Sequence, residues 1–297
     1  MSFRFSANTG FLFKDHPFMD RIRAAKAAGF DALEFHDEAR GEDPVALGDL
    51  LAETGLPVCG MNVRMEGKPG CAAIPGQSDQ FRRDIDEAVA IAGRIDAGAI
   101  HVLAGMAEGA EARSTYIRNL AVALEATDRT ILIEPLCRAA MPGYFLRTVE
   151  QAAEIIAEIS NPRLKIMFDC FHVGMEHGAG AVADLFRKHA SVIGHVQIAS
   201  VPDRLSLCPA TCNTRTCCPP FRPQAIRAPL AANTTRQAMM MTPDCPASGS
   251  LWCNSGCAGA LSPPARYPGF TPLTSHIVFP GRPEWLLRRL RFHSRNP

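Results

Sequence analysis

The chain has 297 residues, and its 31 Lys and Arg against 30 Asp and Glu give a formal net charge of +1 at pH 7. This length allows one large α/β domain with a substantial core, and the balanced charge favours neither nucleic acid nor a membrane surface as a partner. The N-terminus lacks the basic start and apolar stretch of a signal peptide, and no run approaches the roughly 20 apolar residues of a membrane span.

The first 200 residues repeat a strand followed by a helix. The predicted strands are Phe3–Asn8, Asp31–Phe35, Val58–Val63, Ala99–Leu103, Thr130–Leu136, Leu164–Asp169 and Val192–Ala199. The predicted helices are Asp15–Gly29, Pro44–Glu53, Ser78–Ile95, Ala112–Ala126, Val149–Ile159 and about Ala181–Ala190. Seven such units favour a (β/α)₈ barrel over a doubly wound sheet, because no glycine-rich nucleotide fingerprint follows the first strand. The loop at residues 64–77 is too long for a minimal connection, which favours a functional lid.

The pattern stops at Leu205. Residues 201–297 hold 15 of the 23 prolines, 7 of the 11 cysteines, 11 Arg, no Lys and three acids. Their cysteines lack the paired C-x₂-C spacing that indicates a zinc module. We interpret this region as a frameshifted product of GC-rich coding DNA. The predicted domains are therefore a barrel at 1–204 with seven βα units, and an irregular, disordered tail at 205–297. The eighth unit is expected to be absent, which would leave strands one and seven as unpaired edges.

Thr130–Leu136, TILIEPL, carries the first candidate for chemistry. An apolar run leads into Glu134, and Pro135 then stops the strand. Apolar strands are typical of parallel sheets covered on both faces, and such folds keep their chemistry at the carboxyl ends of strands. Glu134 is therefore expected in a pocket, although a strand-end Glu can also be a salt-bridge partner.

Polar residues also end the next strands. Asp169 closes strand six with His172 three residues later, His195 and Gln197 share a face of strand seven, and His101 lies in strand four. Each has an ordinary structural alternative, such as a cap for Asp169 or a hydrogen-bonded core position for the histidines. Two carboxylates and an amide oxygen at three successive strand ends favour Mg²⁺ or Mn²⁺ over zinc.

Seven segments, between about residues 3 and 204, resemble the hydroxypyruvate isomerase family within the xylose-isomerase-like TIM barrels. They are RFSAN, GCAAIPG, IHVLAG, LIEP, YFL, FDCFH and GHVQIA, in the family's order and spacing. The resemblance implies a (β/α)₈ barrel that interconverts hydroxypyruvate and tartronate semialdehyde, or a related 2-oxo acid such as a 2-oxo-tetronate.

The resemblance also assigns roles. Glu134 matches a catalytic glutamate that is also a metal ligand, and Asp169 and Gln197 match two further ligands. The fourth ligand is a second catalytic glutamate in a last-strand motif like G-x-E-Y-x-P, which this sequence lacks. The later carboxylates Asp244 and Glu284 follow no apolar strand.

The isomerisation moves a proton between neighbouring carbons through an enediolate, with a divalent cation stabilising the negative charge. Glu134 is expected to take the proton. The residues expected to bind substrate are His101, His172, His195 and Arg64, with Lys68 an alternative to Arg64 in the long loop. Because the second glutamate is missing, we expect impaired activity.

Two other functions stay open on sequence alone. The chain could be a non-catalytic scaffold with a disordered contact tail, or a metal-dependent phosphodiesterase of the apurinic endonuclease type, for which the strand ends offer too few ligands. Cysteines scattered singly through the first 200 residues favour the reducing cytoplasm. The expected partner is a small 2-oxo acid, and a second subunit of a homo-oligomer could cover exposed edges.

Overall fold

Eight parallel strands close into a barrel in the computed structural model, which describes residues 4–202, residue 204 and the backbone of 230–232. The chain divides into the units Met1–Ser255 and Gly256–Pro297, and every described residue lies in the first. The strands are β1 (Phe5–Asn8), β2 (Ala32–Phe35), β3 (Val58–Asn62), β4 (Ala99–His101), β5 (Thr130–Ile133), β6 (Leu164–Asp169), β7 (Ile193–Ile198) and β8 (Leu230–Ala232). Each strand pairs with the next, and β8 pairs with β1. The predicted (β/α)₈ architecture is confirmed.

The eighth strand corrects the expectation that strands one and seven are unpaired edges. Leu230 is the register partner of Phe5 on β1 and of Val196 on β7. Backbone amides make these ladders, so three residues suffice to pair. A strand this short, directly after Pro229, leaves no alternating pattern to read. The eighth helix and the other predictions made for 205–297, including the frameshift, lie outside the described residues.

Seven α-helices follow the strands in the described part of the chain. They are α1 (Phe18–Ala28), α2 (Pro44–Thr54), α3 (Ser78–Arg94), α4 (Gly109–Ala126), α5 (Val149–Ile159), α6 (Cys170–His177) and α7 (Val182–His189). The predicted helices match all of these except α6, which the sequence analysis missed. Asp169 starts α6 by accepting a hydrogen bond from the Phe171 amide at 2.8 Å. The strand therefore passes into a helix without a loop, which brings His172 next to the strand end.

The long loop after β3 is fixed to the barrel over its second half. The Ala72 and Ala73 amides donate to the carbonyls of Leu103 and Ala104, and the Asn119 amide donates to the Ala72 carbonyl at 2.8 Å. These bonds satisfy buried backbone groups that an opening loop would have to give up. They argue against a lid that opens as a whole.

The barrel core lies between the strands and the surrounding helices, with fully buried side chains such as Ile22, Leu33, Ile100 and Ile131. None of the described helices is long and apolar enough to cross a membrane. The four cysteines of the first 200 residues are free thiols.

Candidate functional site

Three of the predicted site residues lie at the carboxyl ends of neighbouring strands. Glu134 follows β5 directly, Asp169 is the last residue of β6, and Gln197 is the register partner of Asp169 on β7. Their exposed fractions are 7%, 1% and 3%. Parallel register partners project to the same face of a sheet, so Asp169 and Gln197 share a face. Glu134 is two residues after Leu132, which packs with Ala99 and Met167 in a separate buried cluster, and by alternation it points to the same side as Leu132.

Glu134, Asp169 and His172 form a compact cluster. Each offers one ligand atom, and the three atoms lie within 4.8 Å of one another. His172 Nε2 is 3.9 Å from Asp169 Oδ2 and 4.0 Å from Glu134 Oε1. Because Asp169 Oδ1 accepts from the backbone at the start of α6, its Oδ2 is held towards the cluster. The helix cap therefore aims one carboxylate oxygen into the site.

The environment of Glu134 disfavours its charged form. Burial is the main cause, and the negative charge of Asp169 adds to it, so the pKa of Glu134 lies well above its ordinary value. In the metal-free protein this carboxyl group therefore holds a proton more readily than an ordinary glutamate. Because the two buried carboxylates repel each other, the site favours a cation bound between them.

His101 faces Glu134 from β4. Its Nδ1 is 3.0 Å from Asn62 Oδ1, and its Nε2 is 3.8 Å from Glu134 Oε2. Asn62 Nδ2 donates to Met65 Sδ, which assigns the hydrogen of the imidazole to Nδ1. Burial, with a smaller contribution from His36 and His195, lowers the pKa of His101 to about 3. The ring is therefore neutral, and its Nε2 has no hydrogen-bond partner among the described residues.

Arg204 reaches the same cluster, although the sequence marks it only as the last residue before the irregular tail. Its Nη2 lies 3.0 Å from Asp169 Oδ2 and 2.8 Å from His172 Nε2, and its guanidinium carbon lies 4.0 Å from the centre of the Phe171 ring. Burial and Arg204 lower the pKa of His172 to about 4 against the opposing effect of Asp169, so this ring is also neutral. No local sequence signal marks Arg204, because its loop follows β7 without a motif.

Glu34 is the second residue that sequence reasoning missed. It is 2% exposed in β2. Its Oε1 accepts hydrogen bonds from Asn8 Nδ2 and Gln197 Nε2, and its Oε2 lies 2.8 Å from His195 Nε2. The available signal was an acid ending a short apolar strand, as at Glu134. The contacts of Glu34 with His195 and Gln197 join β2 to β7 across the barrel interior.

The other two residues predicted to bind substrate, His195 and Arg64, are paired with acidic side chains. His195 is paired with Glu34, and it precedes Gln197 by two residues on the same strand, hence one layer deeper in the barrel. The guanidinium of Arg64 donates to Glu87 at 2.9 Å and to Glu66 at 3.0 Å. The structure therefore brings His101 and His172 to Glu134 and places Arg64 in an ion-pair network.

The donor set around Glu134 fits a hard divalent cation. Glu134 and Asp169 supply carboxylate oxygens, and His172 supplies a neutral ring nitrogen. Gln197, the register partner of Asp169, offers an amide on the neighbouring strand. The unpartnered Nε2 of buried His101 points at the same carboxylate. A buried acceptor of this kind can take a hydrogen bond from a substrate hydroxyl or from water.

Comparison with known proteins identifies relatives over most of the described barrel. A family model described as xylose isomerase-like TIM barrel matches residues 22–210. The 2-oxo-tetronate isomerase of Cupriavidus necator is 38% identical over 215 residues, which cover 68% of this chain and 80% of that protein. The putative hydroxypyruvate isomerase of Homo sapiens is 34% identical, covering 68% of this chain and 78% of its own length.

A solved structure shares the fold. A protein from Brucella melitensis described as an AP endonuclease of family 2 superposes with a TM-score of 0.71 at 27% sequence identity. The superposition covers 80% of this chain and 95% of that one.

Proposed function

This chain belongs to the xylose isomerase-like TIM barrel family, and we propose that it is a metal-assisted isomerase of small 2-oxo acids, with hydroxypyruvate or a 2-oxo-tetronate as substrate. The proposal is supported by relatives named for these two isomerisations. The observation that carries it is the cluster of Glu134, Asp169 and His172 at the barrel's carboxyl end.

In this proposal Glu134, Asp169 and Gln197 hold Mg²⁺ or Mn²⁺. When bound, such an ion polarises the carbonyl and hydroxyl oxygens of a substrate and stabilises negative charge on them. Gln197 is oriented by the hydrogen bond from its amide nitrogen to Glu34, which fixes the rotation of the amide. Glu34 is therefore proposed to position a ligand rather than to bind the ion itself.

Proton transfer is assigned to Glu134. As a buried carboxylate facing His101, it takes a proton from the carbon beside the carbonyl and returns it to the neighbouring carbon. The neutral Nε2 of His101 is suited to accept a hydrogen bond from a substrate hydroxyl, because Asn62 keeps the ring hydrogen on Nδ1. His172 is proposed to contact the substrate beside Asp169. The substrate roles of His195 and Arg64 stay predictions.

Arg204 is proposed to bind the acid group of the substrate. Its Nη1 is buried without a partner among the described residues, while Nη2 contacts Asp169. An arginine beside an aromatic ring, here Phe171, offers planar recognition of a carboxylate. Arg64, whose guanidinium already pairs with Glu87, stays a second candidate for the same role.

Turnover of hydroxypyruvate and of a 2-oxo-tetronate, measured with and without added Mn²⁺, tests the proposal. We expect metal-dependent isomerisation in the parent, slowed by the missing last-strand glutamate, and a further loss of at least about 100-fold in Glu134→Gln. Glu154→Gln, an exposed position on α5, is the matched control and should retain turnover. A parent protein that folds and binds Mn²⁺ but turns over neither acid would reject the proposal in favour of a non-catalytic scaffold.

The apurinic endonuclease alternative is tested in the same preparations. The Brucella neighbour carries that description, yet the cluster around Glu134 consists of only two carboxylates and one histidine among the described residues. Cleavage of abasic DNA by the parent, abolished in Glu134→Gln, would favour the alternative.

A further inference from the structure

A second cluster of metal-ligating side chains lies deeper in the barrel than the proposed active site. The Glu34 carboxylate, the Cys59 thiol and the His195 imidazole each offer one ligand atom, and these atoms lie within 4.8 Å of one another. Glu34 and His195 are 2% and 4% exposed. The three residues come from β2, β3 and β7, so only the closed barrel brings them together.

A cavity at the opposite end of the barrel from the proposed active site reaches two members of this cluster, Cys59 and His195. It has a volume of about 280 Å³, and its lining includes Cys59, His195, Arg4, Pro57 and Gly98. Pro57 directly precedes β3 and Gly98 directly precedes β4, which places the cavity at the amino ends of the strands. An ion could therefore reach Cys59 and His195 without passing the Glu134 cluster.

We propose that Glu34, Cys59 and His195 form a binding site for zinc or another thiophilic divalent cation, separate from the site at Glu134. One thiolate, one imidazole and one carboxylate are ligands that zinc takes in proteins, and three protein ligands leave its fourth tetrahedral position open. A thiolate selects soft ions, whereas the oxygens of the Glu134 cluster select Mg²⁺ or Mn²⁺. The two sites thus differ in metal preference.

Charge balance supports a cation at this place. Binding would release one proton from the Cys59 thiol and would put the ring hydrogen of His195 on Nδ1, so that Nε2 can bind the ion. A dication with one thiolate, one carboxylate and a neutral imidazole has no net charge, which lowers the cost of burial. Without a cation, burial and the Glu34 carboxylate raise the pKa of Cys59 and keep it a thiol, which donates to the Leu33 carbonyl at 2.9 Å.

The other contacts of Glu34 hold its carboxylate in place. Asn8 Nδ2 and Gln197 Nε2 both donate to Oε1, which leaves Oε2 directed at His195. Hydrogen bonds of this kind around a ligand carboxylate are typical of metal sites. Gln197 thereby contacts Glu34, so occupancy of the deeper site would also stabilise the position proposed to ligate the upper ion.

Alkylation of individual cysteines in the full chain, followed by peptide mass spectrometry, tests the site. In chelator-treated protein at buffered free zinc, Zn²⁺ should slow the alkylation of Cys59 by about tenfold or more, and Mg²⁺ should not. Cys71, a buried thiol beside Asp84, is the matched control and should be unaffected. Reading each cysteine separately excludes zinc bound by the cysteines after residue 205. Equal alkylation of Cys59 with Zn²⁺ and Mg²⁺ would overturn the proposal.

Two variants provide an independent measurement. Cys59→Ser should bind one equivalent of tight zinc fewer than the parent, while Cys71→Ser should bind as much as the parent. In Glu34→Gln, protection of Cys59 should need about tenfold more free zinc. If Glu34→Gln fails to fold, the stoichiometry of Cys59→Ser decides alone, and no loss of zinc there would reject the site. Neither measurement uses turnover, so the outcome is independent of the proposed isomerase activity.

Discussion

Arg204 Nη2 lies 3.0 Å from Asp169 Oδ2, and the Asp169 side chain is completely buried in this pair. The contact joins the loop after β7 to the last residue of β6, beside Glu134. A buried carboxylate without a cation is costly, so this ion pair lowers the cost of placing two acids together. Arg204 and a bound metal ion can each supply that positive charge.

Arg204→Ala should therefore destabilise the metal-free protein by about 3 kcal/mol, because it leaves the Asp169 carboxylate buried without a cation. Mn²⁺ should restore part of the loss by supplying the missing charge. Urea unfolding in chelator and in Mn²⁺ measures both effects. Arg187→Ala, which breaks the exposed pair with Asp184, is the control and should cost at most about 1 kcal/mol. Equal losses in the two variants would contradict this account of the Arg204 contact.

Asn62 should control the protonation pattern of His101. Asn62→Leu removes the group that accepts the hydrogen bond from His101 Nδ1, so the ring hydrogen can move to Nε2. Nε2 could then no longer accept a hydrogen bond from the proposed substrate hydroxyl. We expect kcat/KM for the 2-oxo acid to fall by about 10–100-fold. Asn62→Asp keeps an oxygen acceptor and should retain more activity than Asn62→Leu. If both variants lose activity to the same extent, Asn62 does not act through the tautomer of His101.

The sequence predicts those parts of the site that depend on local pattern. Glu134 and Asp169 each end an apolar run, and a strand's carboxyl end places such acids in the barrel mouth. The same rule could have found Glu34 at the end of β2. Its partner could not be read this way, since His195 lies 161 residues away and only barrel closure brings the two together.

Other features were missed because they have no periodicity. β8 has three residues, fewer than an alternating pattern needs. Helix α6 begins at Cys170, so the end of the strand and the start of the helix overlap in FDCFH. Arg204 occupies a positive φ of 57° in a loop, and its long side chain reaches Asp169 by tertiary packing alone.

Gly70 should be more sensitive to substitution than Gly67 in the same loop. Both have positive φ, 77° and 74°, so an alanine is strained at either position. A Cβ at Gly70 would also lie 2.6 Å from the Leu103 Cβ, whereas a Cβ at Gly67 meets nothing within 4 Å. We expect Gly70→Ala to lose about 1–3 kcal/mol more than Gly67→Ala in urea unfolding. Similar losses would mean that the loop shifts away from Leu103 without cost.

Glu134→Gln should stabilise the metal-free protein in a pH-dependent way. Burial and the charge of Asp169 raise the pKa of Glu134, so the folded protein keeps a proton there at pH values where the unfolded chain has lost it. The folded state then binds more protons, and stability falls as pH rises above the ordinary Glu pKa of about 4.3. Glutamine does not titrate, so this loss of stability with rising pH is absent from the variant. The stability gain of the variant should be smallest below pH ~4 and should grow as the pH rises towards 7.

Urea unfolding between pH 4 and pH 7 in chelator measures this gain, with the exposed Glu154→Gln as the control that should show none. Saturating Mn²⁺ should reverse the order at pH 7, because an ion bound by Glu134 stabilises the parent in proportion to the logarithm of its concentration and has lost a ligand in the variant. A gain that stays constant across the pH range would show that Glu134 changes stability by packing alone. Failure of Mn²⁺ to reverse the order would show that the carboxylate does not bind the ion.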